Sequence, residues 1–218
     1  VTQDSLYQKS YIRRLPELMK LAPDTFKAFS KFDQLALSEG VIPKKTKELI
    51  AIAIAHITGC PYCIEAHING AKRLEASKEE VTEAIMVATA LKAGSSIAHG
   101  LNGLNAYDGN EDEELYKRSN LKRFMEFKEI SPEAFSAFNK FDMEAMKPGL
   151  ISRKDKELIA IASAHVTGCA YCIDVHTKSA KKLGVTLEEI AEAIFVATAL
   201  KAGSALAHSV NALNAYDA

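Results

Sequence analysis

The 218 residues contain no tryptophan, only 6 prolines and only 4 cysteines. Scattered cysteines, the mark of a secreted disulfide framework, are absent: all four fall in two tight pairs, Cys60/Cys63 and Cys169/Cys172. Excess charge is absent too. Lys+Arg 27 against Asp+Glu 28 leaves a net charge of -1, so there is no basic stripe and nucleic acid is not an expected partner. The longest apolar runs, Leu49–Ala55 and Leu158–Ala162, fall far short of the about 20 residues that span a bilayer, so no membrane partner is expected. Val1–Ser10 is too polar for a signal peptide, which leads to the expectation of a soluble, cytoplasmic protein. What remains is an ordinary globular balance of 48% hydrophobic and 25% charged residues, in a chain long enough for a sizeable core.

The two cysteine pairs lie 109 positions apart (169 − 60), half the chain length. The same offset maps Phe26 on Phe135, Asp33 on Asp142, Glu48 on Glu157, His56 on His165, His67 on His176, His99 on His208 and Tyr107 on Tyr216. Roughly 60% of positions from Pro23 to Asp108 match their partners without a gap. The chain therefore reads as two fused copies, residues 1–109 and 110–218, a pseudo-dimer rather than a solenoid.

Period-3.6 patterning dominates and no alternating strand pattern appears, which predicts an all-α fold of two similar helical bundles related by a pseudo-twofold axis. In the first copy the pattern predicts helices at Leu6–Lys20, Pro23–Leu37, Lys44–Thr58, Pro61–Glu75, Lys78–Leu91 and Ser95–Tyr107. Gly59 suits a left-handed C-terminal cap and Pro61 a first helical position. Ser77 and Thr186, each followed by two glutamates, resemble N-caps. Gly94 and Gly203, after Lys92 and Lys201, read as helix ends. The run Leu49–Ala55 is apolar all round and predicts a central, buried helix.

The chemistry concentrates in Glu48 … His56 … Cys60-Pro61-Tyr62-Cys63 … His67, and again in Glu157 … His165 … Cys169-Ala170-Tyr171-Cys172 … His176. Cysteines three apart at a helix start have Cα atoms about 5–6 Å apart and can form a disulfide. The helix N-terminus there stabilises a thiolate. Cys63 and His67 are i and i+4, so the imidazole shares the face of the sulfur. In an antiparallel hairpin Glu48 comes level with His67, where a carboxylate would orient the imidazole. His56 and His165 read first as structural or supporting groups. Tyr62 and Tyr171 either cover the disulfide or pack, and His99 and His208 read as core or interface groups. Zinc held by Cys60, Cys63, His67 and His56 is an alternative, although all four sit on one short hairpin, unlike usual zinc spacings. No Gly-rich nucleotide loop is present, so neither a cofactor nor a resident metal is assigned.

At Glu48, Cys60, Cys63 and His67, and again at Glu157, Cys169, Cys172 and His176, the chain carries Glu-x11-Cys-x2-Cys-x3-His. With the flanking Leu-Ile-Ala-Ile-Ala, this resembles the alkylhydroperoxidase D-like group of the carboxymuconolactone decarboxylase superfamily. The resemblance implies a helical thiol peroxidase or disulfide reductase, with Cys63 and Cys172 peroxidatic and Cys60 and Cys169 resolving. The best-known peroxidase of the group has a histidine between its cysteines, where this chain has Tyr62 and Tyr171. The superfamily's lactone decarboxylases generally lack the cysteine pair, which disfavours decarboxylation. The resemblance further implies a homotrimer or other homo-oligomer. The expected partners are a hydroperoxide substrate and a dithiol or redox-protein electron donor. Alternatives are a disulfide oxidoreductase without peroxidase activity and a non-catalytic zinc-bound or redox-sensing scaffold.

Overall fold

A computed structural model describes residues 5–218, and the expected start of the first copy at residue 1 lies outside them. The described residues contain helices and turns and no strand. A 3-10 turn at Lys9–Arg14 leads into α1 (Leu15–Leu21), α2 (Pro23–Ala36), α3 (Lys44–Thr58), α4 (Pro61–Arg73) and α5 (Lys78–Tyr107). The second copy repeats the order: a 3-10 turn at Arg118–Arg123, then α6 (Phe124–Ile130), α7 (Pro132–Met146), α8 (Arg153–Thr167), α9 (Ala170–Lys182) and α10 (Leu187–Tyr216).

The caps explain the register. Gly59 and Gly168 take left-handed φ values of 68° and 69° and end α3 and α8. Ser77 and Thr186 form complete capping boxes with Glu80 and Glu189 at the starts of α5 and α10. Central helices α3 and α8 pack on each other and on both long helices, α5 and α10. Ile50, Ile52 and Ile54 of α3, and Ile159 and Ile161 of α8, are fully buried there.

Two expectations are corrected. The helix predicted over Leu6–Lys20 is a 3-10 turn followed by α1, and the second copy breaks at the same place without the proline that α1 carries at position 16. A shared arginine sits at both junctions. Arg14 forks to Glu17, Asn214 and Asp217, and Arg123 to Glu126, Asn105 and Asp108. The predicted break at Gly94 does not occur either, because α5 and α10 each run 30 residues unbroken. Lys92 and Lys201, read as C-terminal signals of their own helices, instead reach Ile57 O and Val166 O at the ends of α3 and α8. Phe138 lies over Gly94, and Phe29 lies over Gly203. By length and composition the unbroken α10 is apolar enough to cross a membrane, although no single run in the sequence is. It packs along α8, α3 and α2.

The copies exchange their N-terminal arms. Helix α2 of the first copy packs on α10, and α7 of the second packs on α5. A reciprocal brace joins the same halves. The buried Lys47 ammonium donates to Ser38 O and pairs with Glu192 at 3.1 Å, and Lys156 donates to Ala145 O and Lys147 O and pairs with Glu83 at 3.0 Å. Glu192 also accepts from the N–H groups of Val41 and Ile42, and Glu83 from those of Leu150 and Ile151. Apart from the Lys156 bond to Ala145 O, each of these contacts has its mirror in the other half, as a pseudo-twofold relation requires. Gly40 and Gly149 are the price of that approach: a Cβ would stand 2.1 Å from Glu192 Oε1 and 2.4 Å from Glu83 Oε1.

Burial alone pushes the Glu83 and Glu192 carboxyls upward, but their backbone N–H donors and buried lysines outweigh it and hold both below the ordinary glutamate range. A lowered folded value means stability that is complete above the ordinary range and is lost as pH falls through the folded value. Glu83→Gln should therefore cost about 3 kcal/mol at neutral pH by leaving Lys156 buried without its counter-charge, and should flatten the acid limb of the stability profile. Urea unfolding from pH 7 to pH 3 measures both effects. Conversely, Gly94→Ala and Gly203→Ala should each raise stability by about 0.5–1 kcal/mol, because a Cβ there makes only ordinary contact with Phe138 or Phe29, at 3.8 and 3.6 Å. Thermal melts of the two variants read that gain.

Candidate functional site

Each α-helical hairpin, α3–α4 and α8–α9, turns through its glycine directly into the cysteine pair. Cys60 is the N-cap of α4, with extended backbone, and its Sγ accepts the Cys63 N–H at 3.2 Å. Cys169 does the same for Cys172 at 3.1 Å. Both pairs are disulfides, with Cα separations of 5.3 and 5.2 Å. Cys60 and Cys169 are fully buried, whereas Cys63 and Cys172 keep 8% of their surface.

Glu48 and Glu157 are the fifth residues of the central helices, where burial requires a partner. His67 Nδ1–H donates to Glu48 Oε2 at 2.9 Å, and His176 Nδ1–H to Glu157 Oε2 at 2.8 Å. An ionised carboxylate only accepts, so this bond places the hydrogen on Nδ1 and leaves Nε2 to accept a proton. His67 lies one turn above Cys63 on the face of α4, and His176 above Cys172 on α9. Among the described residues no direct hydrogen bond joins either imidazole to a cysteine sulfur while the pairs are oxidised.

His56 and His165 stay out of this arrangement: each donates Nδ1–H to the carbonyl one turn back on its own helix, Ile52 O at 2.7 Å and Ile161 O at 2.8 Å. No group of three or more His, Cys, Asp or Glu side chains converges as a metal site among the described residues. The Tyr62 hydroxyl donates to Gln8 O at 3.3 Å. Tyr171 donates to Asn102 and accepts from Asn120, both at 3.0 Å.

Sequence reasoning missed how the other copy completes each site. Beside Cys172 and His176 lies a cavity of about 300 Å³ whose far wall is α5 of the first copy, through Leu91, Gly94 and Ala98. Tyr116 stacks between Tyr171 and His99, and Tyr7 lies between Tyr62 and His208, where its hydroxyl meets the ring Nδ1 at 3.2 Å. His99 and His208 are thus interface groups close to the sites. Asp142 also lines the cavity, and burial pushes its carboxyl up against the opposing pull of His176 and Arg153. Burial raises Asp33 in the same way, opposed by His67. The only signal for these aspartates was their match at the 109-residue offset.

The carboxymuconolactone decarboxylase family model matches residues 23–106 and 132–215, which are two tandem regions that each hold one hairpin and its cysteine pair. The chain belongs to this family. Its relatives include protein 4 of the cox locus of Paracoccus denitrificans, 45% identical over 85 residues, a match that covers 39% of this chain and 74% of that protein. YdfG of Bacillus subtilis strain 168 is 40% identical over 71 residues, 32% of this chain and 47% of YdfG. Among solved structures, a Burkholderia xenovorans LB400 protein provisionally assigned as a gamma-carboxymuconolactone decarboxylase subunit superposes with a TM-score of 0.67. It covers 95% of each chain at 20% identity, a likeness of fold. Family membership and the two disulfides fit a redox role.

If the imidazoles serve the thiols, His67→Gln with His176→Gln should slow iodoacetamide alkylation of the reduced protein about tenfold at neutral pH. Unchanged alkylation kinetics would remove the histidines from the thiol chemistry.

Proposed function

We propose that this protein is a thiol-dependent peroxidase. The observation that carries the reading is the unequal exposure of each pair, with the cysteine that shares a face with the histidine also the one that keeps 8% of its surface while its neighbour keeps none. In the reduced enzyme the thiolate of Cys63 or Cys172 attacks the terminal oxygen of a hydroperoxide. The O–O bond breaks, the sulfur becomes a sulfenic acid, and the leaving oxygen departs as alcohol or water after taking up a proton. The His–Glu pair accepts the thiol proton and can return it to that oxygen. The buried neighbour, Cys60 or Cys169, then condenses with the sulfenic acid, which forms the disulfide and releases water. A dithiol or a redox-protein donor restores both thiols with two electrons and two protons. The apolar cavity at Cys172 suits the body of an organic hydroperoxide.

A second reading, disulfide exchange without peroxidase activity, rests on one specific bond. The Cys60 Sγ already accepts the Cys63 N–H at the helix N-terminus, which favours Cys60 as the attacking thiolate.

The two readings separate by mutation in both copies together. Cys60→Ser with Cys169→Ser should stop turnover but allow one oxidation per copy, trapped by dimedone on Cys63 and Cys172. Cys63→Ser with Cys172→Ser should abolish peroxide consumption and give no dimedone adduct. Label on Cys60 and Cys169 in that second variant would exchange the roles. An inert wild type that still exchanges disulfides would leave the second reading standing.

A further inference from the structure

The two relays are not copies of each other in their outer partners. Glu157 is fully buried, and its Oε1 accepts from Arg153 at 2.7 Å and from Ser179 Oγ at 2.7 Å, while Oε2 serves His176. The other arm of the Arg153 guanidinium donates to Met146 O, which fixes it against the end of α7. In the first copy the 109-residue offset puts Lys44 where Arg153 stands and Gly70 where Ser179 stands. Lys44 is exposed, and the carboxylate of Glu48 has only His67 as a hydrogen-bond partner among the described residues. Glu48 has moved into the space that the missing side chain leaves: a Cβ on Gly70 would stand 2.7 Å from Glu48 Oε2.

The charged and titratable groups around each relay differ accordingly. The second holds Glu157 and Arg153 from α8, His176 from α9 and Asp142 from α7. The first holds Glu48 from α3, His67 from α4 and Asp33 from α2. The second relay therefore carries one more positive charge, on a half-buried arginine whose partner carboxylate is fully buried.

We propose that the two disulfides are redox-inequivalent, with Cys169–Cys172 the stronger oxidant because Arg153 acts on its relay as a positioning residue. This rests on the thiol-redox reading above. Reduction breaks the S–S bond and places two electrons on the sulfurs, and the added positive charge on the relay, held at Glu157 behind His176, stabilises the thiolate that forms. A disulfide whose reduced form is stabilised is the better electron acceptor. In a chain that holds only two electrons, the dithiol state belongs to Cys169/Cys172 and the disulfide to Cys60–Cys63. An external dithiol carries the exchange: its two thiols become a disulfide as the protein disulfide becomes two thiols, and the reverse reaction takes electrons from the other pair.

The test uses the full chain equilibrated in buffers of graded reduced-to-oxidised dithiothreitol ratio, quenched in acid and alkylated. Mass spectrometry distinguishes the pairs, because one motif reads Cys-Pro-Tyr-Cys and the other Cys-Ala-Tyr-Cys. Cys169–Cys172 is expected to reach half-reduction at a ratio about tenfold lower than Cys60–Cys63, a difference of about 30 mV. Arg153→Met should close most of that gap. Arg153→Lys with Ser179→Gly, which installs the residues of the first copy in the second, should close it as well and guards against misfolding of the first variant. Because Pro61 and Ala170 also differ, the variants rather than the wild type assign the gap to Arg153. Coincident midpoints in the wild type, or a gap unchanged in both variants, overturn the inference. If dithiothreitol reduces neither pair at any ratio, the thiol-redox reading itself falls.

Discussion

Two adjacent charged residues are buried at the start of each central helix, Lys47-Glu48 on α3 and Lys156-Glu157 on α8. Neither charge can stay there unpaired, since the desolvation cost of each is several kcal/mol. The lysine finds its carboxylate in the other half of the molecule, and the glutamate finds its imidazole on the next helix. One helical turn thus ties the two copies together and aims the histidine of the site. Gly40 and Gly149 leave room for Glu192 and Glu83, which also accept from the backbone of the loops before the central helices.

The sites are consequently properties of the pair of copies rather than of either one. The cysteines, the histidine and the glutamate of a site come from one hairpin, but α5 faces the second hairpin and Tyr7 brings His208 against the first. The Arg14 and Arg123 forks hold the exchanged arms to the far ends of α10 and α5. The walls of the site depend on the integrity of that exchange.

Much of this was legible before any coordinates. The copies follow from the 109-residue offset, and the hairpins, the glycine caps, the capping boxes and the His–Glu pairing follow from local spacing, because each depends on residues within about twenty positions of one another. The lysine brace joins residues 145 positions apart at Lys47–Glu192 and 73 apart at Lys156–Glu83, and no periodicity records such a contact. Gly94 was misread because glycine near lysine has the same local appearance at a helix end and beneath a phenylalanine of another helix. Asp33 and Asp142 were visible only as a repeat match, since a single aspartate on an amphipathic helix normally faces water. Arg153 and Ser179 leave no such repeat signal, because they matter where the copies differ.

In an assembly of identical single-copy chains, every substitution is written into all sites at once. Here Lys44 and Arg153, and likewise Gly70 and Ser179, occupy equivalent places but are encoded separately. Selection can therefore act on one relay without touching the other, and the covalent link keeps the two in fixed one-to-one proportion. The two copies can thus diverge residue by residue while remaining covalently joined.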